Sequence, residues 1–329
     1  MGNCFKYSLD NKRYHTLNYY YKNKYGCKVF KVSLNAGFGC PNKRDGKGCI
    51  YCLNGSGENR GMSLINQFNK VKEIMENKWP GSKYIGYFQA DTNTYAPVHV
   101  LKECYESILR IDNVIGLNIA TRCDAISDEV YDYLEDLNKR TNLTIELGLQ
   151  TIHEKTVQLI NRGHDLKCFE EAVRKLRERN IDVVVHIING LPYECKEDMI
   201  KTARYLSGLD IQGVKIHMLF VLKGTLLEKL YYEKGFHVLS KDEYVDIVCD
   251  QLEVLRDSIV INRITGDPDR NLVIEPKWLL KKFCVLNDID KEMARRDSYQ
   301  GIYANEKVWF VEVNPIWDIS LSTPFFVLV

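Results

Sequence analysis

Three cysteines carry the clearest chemistry in this sequence. They stand in the run NAGFGCPNKRDGKGCIYC over residues 35–52, as Cys40, Cys49 and Cys52, with the spacing C-x8-C-x2-C. Soft thiolates suit an iron–sulfur cluster or zinc. Three protein thiolates on a four-iron cluster leave one iron open to a cofactor or substrate. A zinc knuckle is the competing reading, with Cys27 as its fourth ligand. Gly46 and Gly48 let the loop wrap closely.

Something must hold that loop in place. Short apolar, β-rich runs at 28–34, 83–90, 114–121, 143–150, 182–189 and 213–220 alternate with helical patterns such as 97–110, 127–139, 166–179 and 196–207. A seventh run is 259–265. Near-continuous apolar strands fit a parallel sheet covered on both faces. Six strand–helix alternations imply a partial (β/α)6 TIM-like barrel, with a doubly wound open sheet as the alternative. The cysteine loop follows the first strand, which places it at the C-terminal face where barrel enzymes do chemistry. That context favours iron–sulfur over zinc. The expected organisation is a basic, aromatic arm over 1–26, the barrel over 27–266 and a C-terminal extension over 267–329, whose end is apolar and strand-like.

Composition bounds the class. The chain has 329 residues, 45% hydrophobic and 27% charged, with mean hydropathy −0.29. It shows neither a membrane-length apolar run nor a secretory signal pattern, so no membrane partner and a cytoplasmic location are expected. Eleven cysteines are an odd number, which argues against a complete disulfide framework and for a reducing compartment. The net charge of +1 is unevenly spread: residues 1–44 hold nine Lys or Arg against Asp10, or +8, leaving −7 for the rest. Tyr14, Tyr19, Tyr20, Tyr21 and Tyr25 lie among those cations. Such an arm suits a polyanion, with rings that stack on bases. It suits equally an amphipathic helix whose tyrosines pack on the barrel.

The motifs in order resemble the radical S-adenosylmethionine (SAM) superfamily, and within it the YhcC/YtqA-like family, related to the Elongator catalytic subunit and the coproporphyrinogen-oxidase branch. The resemblance rests on Cys40…CIYC ending at Cys52, YFQADTNTYAP at 87–97, TRCD at 121–124, ELGLQTIH at 146–153, NRGHD at 161–165, HIINGLP at 186–192, KIH at 215–217, LKGT at 222–225 and RITGD at 263–267. It covers about Lys12 to Gly301. The first gap is longer than the common C-x3-C, the loop from Cys40 to Cys49 is shorter than is usual in the family, and the stretch after Tyr303 has no counterpart in the pattern.

The resemblance implies a [4Fe-4S] cluster on Cys40, Cys49 and Cys52, and SAM on its open iron. It places Tyr51 beside the adenine, Gln89 at the strand end that holds the SAM amino group, Gln150 on the ribose, Arg162 on the carboxylate, His186 on the SAM hydroxyls and Gly190 near the adenine. Strand-end capping for Gln150, a helix-end charge for Arg162 and a core position for His186 are the plainer alternatives. Thr121, Arg122, Lys215, His217, Arg263 and Asp267 are candidate substrate contacts. The family association implies tRNA as partner, through maturation of the wobble-uridine side chain in the 5-methylaminomethyl-2-thiouridine pathway, with an electron donor such as flavodoxin or ferredoxin and a partner methyltransferase. Other readings are a radical SAM oxidase or decarboxylase of a small metabolite, and a zinc-stapled RNA-binding protein without catalysis.

Overall fold

Among the described residues, nine strands follow one another as β1 (Val29–Leu34), β2 (Lys83–Phe88), β3 (Val114–Thr121), β4 (Asn142–Gln150), β5 (Asp182–Asn189), β6 (Gly213–Met218), β7 (Val221–Leu222), β8 (Val260–Arg263) and β9 (Val273–Glu275). The computed structural model describes residues 5–7, 9–44, 46, 48–53 and 61–305. Cys4 and the apolar end of the chain lie outside the described residues. The helices are α1 (Leu17–Tyr25), α2 (Pro41–Arg44), α3 (Leu64–Lys78), α4 (Val98–Leu109), α5 (Asp128–Arg140), α6 (Glu154–Leu159), α7 (Leu166–Glu178), α8 (Lys196–Ser207), α9 (Leu226–Glu233), α10 (Lys241–Val254) and α11 (Lys282–Arg295).

Seven strands form one all-parallel sheet in the order β1-β2-β3-β4-β5-β6-β8; β7 and β9 pair separately and antiparallel. The six expected strands are present, and the seventh run joins them as β8. The order follows the chain, as a curled βα half-barrel requires and a doubly wound sheet does not. One face of each strand packs under the helices. Val32, Leu117, Ile119, Ile145, Leu147, Val183, Val185, Val214 and Ile216 are all fully buried there. The alternate residues turn inward.

The seam between β8 and β1 is closed at the strands' N-terminal ends by the chain's own start. Thr16 bridges Ile261 in parallel, and Ile261 N–H donates to the His15 carbonyl at 2.8 Å. Thr16 then caps α1, accepting from Tyr19 N–H at 3.1 Å, and Gly26 ends it at φ 68°, a left-handed turn that favours glycine. Tyr21 is buried against Val29 and Ile85, with Tyr20 and Tyr25 half-buried beside it.

Of the two readings of the arm, packing on the barrel is the one these contacts support. Its rings are spent on the barrel floor, opposite the mouth, and Tyr14 is also buried. Several of its charges are paired as well. Lys6 pairs with Asp257 at 3.0 Å, Arg13 with Asp297 at 3.0 Å and Lys12 with Asp290, and beyond the arm Lys31 pairs with Glu146 at 3.0 Å. Lys22, Lys24 and Lys28 stay exposed. Truncating the buried ring with Tyr21→Ala is expected to cost about 3 kcal/mol, read as a lower urea midpoint. Unchanged stability would mean that α1 only rests on the floor.

Candidate active site

The cysteine loop leaves the C-terminal end of β1 and is tied down from several sides. Asn35 N–H donates to the buried Gln67 side chain at 2.8 Å, and Gln67 returns a bond to the Asn35 carbonyl at 3.0 Å. Thr92 N–H, beyond β2, donates to the Gly39 carbonyl at 2.9 Å. Pro41 opens α2 straight after Cys40, where its missing N–H costs nothing. A Cβ on Gly48 would lie 2.8 Å from Lys43 Cγ, and its φ is 70°, so glycine is required there. Asn42 Nδ2 donates to the Asn161 carbonyl at 2.7 Å and lies 3.6 Å from Cys49 Sγ. Ile50 N–H donates to the Ile160 carbonyl at 3.0 Å.

This brings Cys40, Cys49 and Cys52 to the mouth, each half-buried. Cys49 and Cys52 share a hydrogen bond. It is the main cause holding the Cys49 thiol down to about 6, with Tyr51, Arg122 and Asn42 adding to it against the upward push of burial. Arg122 places positive charge by Cys40 and Cys49, and its guanidinium is fixed by two bonds to Asp124, at 2.9 and 2.7 Å. Cys27 lies before β1, in the floor cluster with Tyr21. The six residues of β1 span about 20 Å. Cys27 therefore cannot join the other three, and the four-cysteine zinc knuckle fails on geometry.

Beside the thiols a cavity of ≈ 240 Å³ opens between Tyr51, Gln150, His186, Ile188, His217, Met218, Leu219 and Phe220. Three of the expected cofactor contacts, Tyr51, Gln150 and His186, thus meet at one wall, together with His217 from the substrate candidates. Gln150 closes β4 at φ 62°, where the register against β5 slips. Its amide nitrogen would lie 2.6 Å from a Cβ on Gly148, so the side chain folds back over that glycine.

Arg162 lies behind the same strand end, 1% exposed. Its guanidinium donates to the carbonyls of His164 at 3.0 Å, Thr151 at 2.7 Å and Leu149. Nη2 is buried without a partner. A buried guanidinium donor without a partner is costly, and an anionic group would satisfy it. Gln89 and Gly190, expected to act through their backbone, do not line this cavity. Gln89 is exposed on the rim, its Oε1 accepting from Ser33 Oγ at 3.5 Å. Gly190, at φ 82°, faces Leu239, 3.1 Å from where its Cβ would be.

Under the cavity lies a residue to which the sequence reading gave no role. Glu146, on β4, is 1% exposed. Its carboxylate accepts from Lys31 Nζ at 3.0 Å, Asn118 Nδ2 at 2.7 Å, His186 Nε2 at 2.8 Å and Lys215 Nζ. Lys215 also donates to Tyr87 at 2.7 Å. Burial alone would raise the Glu146 pKa, but Lys215, Lys31 and His186 outweigh it and hold it well below the usual carboxylate range. Burial pulls Lys215 down to about 8 despite that carboxylate. Burial, and then the neighbouring Lys215 charge, lowers His186; burial and His186 lower His217. Both imidazoles are neutral near pH 7. Only its direction could be read from the sequence: Thr144, Glu146, Gly148 and Gln150 alternate onto one face of β4, while the partners of an inward glutamate come from distant strands.

With the geometry in place, comparison identifies the class. Residues 34–206 match the radical SAM superfamily, and residues 211–295 match the Radical_SAM C-terminal domain. The chain belongs to the radical SAM superfamily of enzymes, whose cofactors are a [4Fe-4S] cluster and SAM. Within it, the chain is 52% identical over 308 residues to Bacillus subtilis YtqA, covering 91% of this chain and 95% of that one. It is 30% identical over 280 residues to Escherichia coli YhcC, covering 82% and 88%. These matches place it in the YtqA/YhcC family. A tRNA uridine(34) acetyltransferase of Methanocaldococcus infernus is 23% identical over 164 residues, 49% of this chain and 30% of that one. The solved structure of M. infernus Elp3 superposes with TM-score 0.64 at 16% identity, covering 86% of this chain and 68% of that one, a likeness of fold.

Neutral buried histidines make a pH prediction. Burial lowers His164 to about 4. Between pH 6.5 and 4 the unfolded ring takes up a proton that the folded ring refuses, so stability falls as pH drops through that window. His186 and His217 act in the same direction. Urea midpoints measured across this range should decline, and His164→Gln should flatten the decline. An equal slope in the variant would show that His164 titrates normally.

Proposed function

We propose that Cys40, Cys49 and Cys52 hold the [4Fe-4S] cluster and that this enzyme acts on the wobble-uridine side chain of tRNA. The carrying observation is the trio of thiols at the barrel mouth beside a cavity lined by Tyr51, Gln150 and His186, with the buried, orphaned Arg162 donor behind the same strand end. The residues fit the cofactor pair. Three thiolates leave one iron for the amino and carboxylate groups of SAM. Arg162 Nη2 would meet the SAM carboxylate, Gln150 and His186 its ribose, and Tyr51 its adenine. When bound, the pair supplies reductive cleavage of the sulfonium and a reagent that abstracts hydrogen atoms. The protein's share is placement and water exclusion, by Ile188, Met218, Leu219 and Phe220 on the cavity wall. Lys31 and Lys215 share the one carboxylate of Glu146, which leaves a net positive charge in the barrel that suits an acidic substrate group.

The tRNA assignment is supported by family. The partial relative whose name specifies tRNA uridine(34) aligns with 164 residues, 49% of this chain. The expected task is remodelling of a carboxymethylaminomethyl group toward aminomethyl, with flavodoxin or ferredoxin as reductant and a methyltransferase acting afterwards.

Anaerobically reconstituted protein with dithionite and SAM should release 5′-deoxyadenosine. Cys40→Ala, Cys49→Ala and Cys52→Ala should each lose this activity at least a hundredfold, about 3 kcal/mol in barrier terms. Cys27→Ala should keep it. Equal loss in all four variants would refute the assignment of the ligands. Nucleoside mass spectrometry of tRNA carrying the carboxymethylaminomethyl group should show its conversion by the loaded enzyme. Unchanged tRNA alongside brisk SAM cleavage would turn the reading to a small-metabolite substrate.

A further inference from the structure

The donors around Glu146 determine more than its charge. Four groups surround the carboxylate, from β1 (Lys31), β3 (Asn118), β5 (His186) and β6 (Lys215). Lys31, Lys215 and Asn118 Nδ2 can only donate, and an ionised carboxylate can only accept. The fourth contact, His186 Nε2 at 2.8 Å from Oε2, must therefore also be a donor. With two ammonium groups against one carboxylate at this locus, a further proton on the imidazole is disfavoured. A neutral ring with its proton on Nε2 leaves Nδ1 bare. His186 lines the ≈ 240 Å³ cavity, with its ring centroid 5.5 Å from that of His217.

We propose that Glu146 is a positioning residue that fixes His186 in the Nε2–H tautomer and so presents Nδ1 as an obligate acceptor to a hydroxyl of the ligand in the cavity. Lys31, Lys215 and Asn118 hold the carboxylate so that it cannot turn away or take the proton. The arrangement is a carboxylate–histidine pair in which the carboxylate never touches the ligand. In metal sites the same device orients an imidazole, and its loss typically costs 10–100-fold in affinity. It also sets selectivity: a hydroxyl or N–H is accepted at this point, whereas a carbonyl or carboxylate oxygen meets a lone pair. The hydroxyl's identity as that of the SAM ribose rests on the function proposed above; the tautomer does not.

The test uses the full-length chain without cofactors, labelled with ring-15N histidine. Long-range proton–nitrogen correlation spectra separate bare from protonated ring nitrogens, and His186→Gln assigns the His186 signals by their disappearance. Wild type should show one His186 species at neutral pH, protonated at Nε2 and bare at Nδ1. Glu146→Gln should populate the Nδ1–H form, and SAM affinity by equilibrium dialysis of reconstituted protein should fall about tenfold. Because Glu146→Gln leaves two buried ammonium groups without a counter-ion, it is paired with the double variant Lys31→Met/Glu146→Gln. The double variant keeps the +1 net charge of the wild-type trio and should show the same tautomer change. A cationic or Nδ1–H His186 in wild type overturns the proposal, as does an unchanged pure Nε2–H form in both variants. If the tautomer behaves as stated but the SAM affinity of reconstituted protein is the same in wild type and both variants, Glu146 keeps its positioning role and the SAM assignment at this wall falls.

Discussion

One buried carboxylate organises this barrel. Burying an isolated ion is prohibitive, and a buried ion survives only when its lone pairs are satisfied. Glu146 meets that condition by drawing donors from β1, β3, β5 and β6, while Lys215 reaches on to Tyr87 of β2. A barrel interior is usually filled by layers of branched apolar side chains. Here the middle layer is ionic instead, and it cross-links strands that the sheet's hydrogen bonds connect only to their neighbours. Such a layer is weak evidence for stability, since well-packed apolar residues would hold the barrel as well. Its value lies in the field it sets. Two cations against one anion keep the imidazoles above it neutral.

That layer divides the barrel into two ends with different work. β1 runs through both: Cys27 precedes it at the floor, Lys31 contributes to the ionic layer, and Cys40 follows it at the mouth. The floor is sealed by α1, whose tyrosines pack on the fold while Lys22 and Lys24 stay exposed. The mouth is left to the cysteine loop. Four separate regions grip this loop, at Gln67 of α3, at Thr92 after β2, at Ile160 and Asn161 after α6, and at Leu227 of α9, whose N–H donates to the Ile50 carbonyl at 2.8 Å. A loop gripped from four sides holds its thiols in place before a cluster arrives, which is the preorganisation that placement chemistry requires.

Much of this was legible in the sequence because its signals were of the right kind. The near-continuous apolar strands can only sit between two covered faces, so the parallel barrel followed, and the loop after the first strand located the mouth. The thiol trio is a type-and-spacing signal, and the structure brings the three half-buried thiols to one mouth. The tyrosine-rich basic arm was ambiguous for a physical reason: ring and charge composition is the same whether the rings stack on bases or on Val29 and Ile85. Only the bridge from Thr16 to Ile261 decides it. Glu146 was quoted within its motif but given no role, since its importance lies in partners 115 residues upstream and 69 downstream, a juxtaposition that no local pattern encodes. Gln89 and Gly190 were assigned from strand ends where the backbone matters more than the side chain, and there sequence identity says little about direction.

The split between ionic layer and cavity suits the chemistry of the family. A reaction that moves hydrogen atoms develops little charge, so oxyanion-type stabilisation offers it little. What it needs is a fixed distance between reacting atoms and the exclusion of water and stray donors. The cavity wall of Ile188, Met218, Leu219 and Phe220 meets the second need, and neutral His186 and His217 can orient a ligand without adding a formal charge. Charges needed for orientation are kept one layer below, where Glu146 acts through His186 rather than on the ligand. Arg162 follows the same logic from the side, with three of its bonds made to backbone carbonyls and one donor left free. In both places buried polar groups hold another side chain still: backbone carbonyls fix Arg162 and leave its Nη2 unpartnered, and Glu146 fixes His186 at the cavity wall.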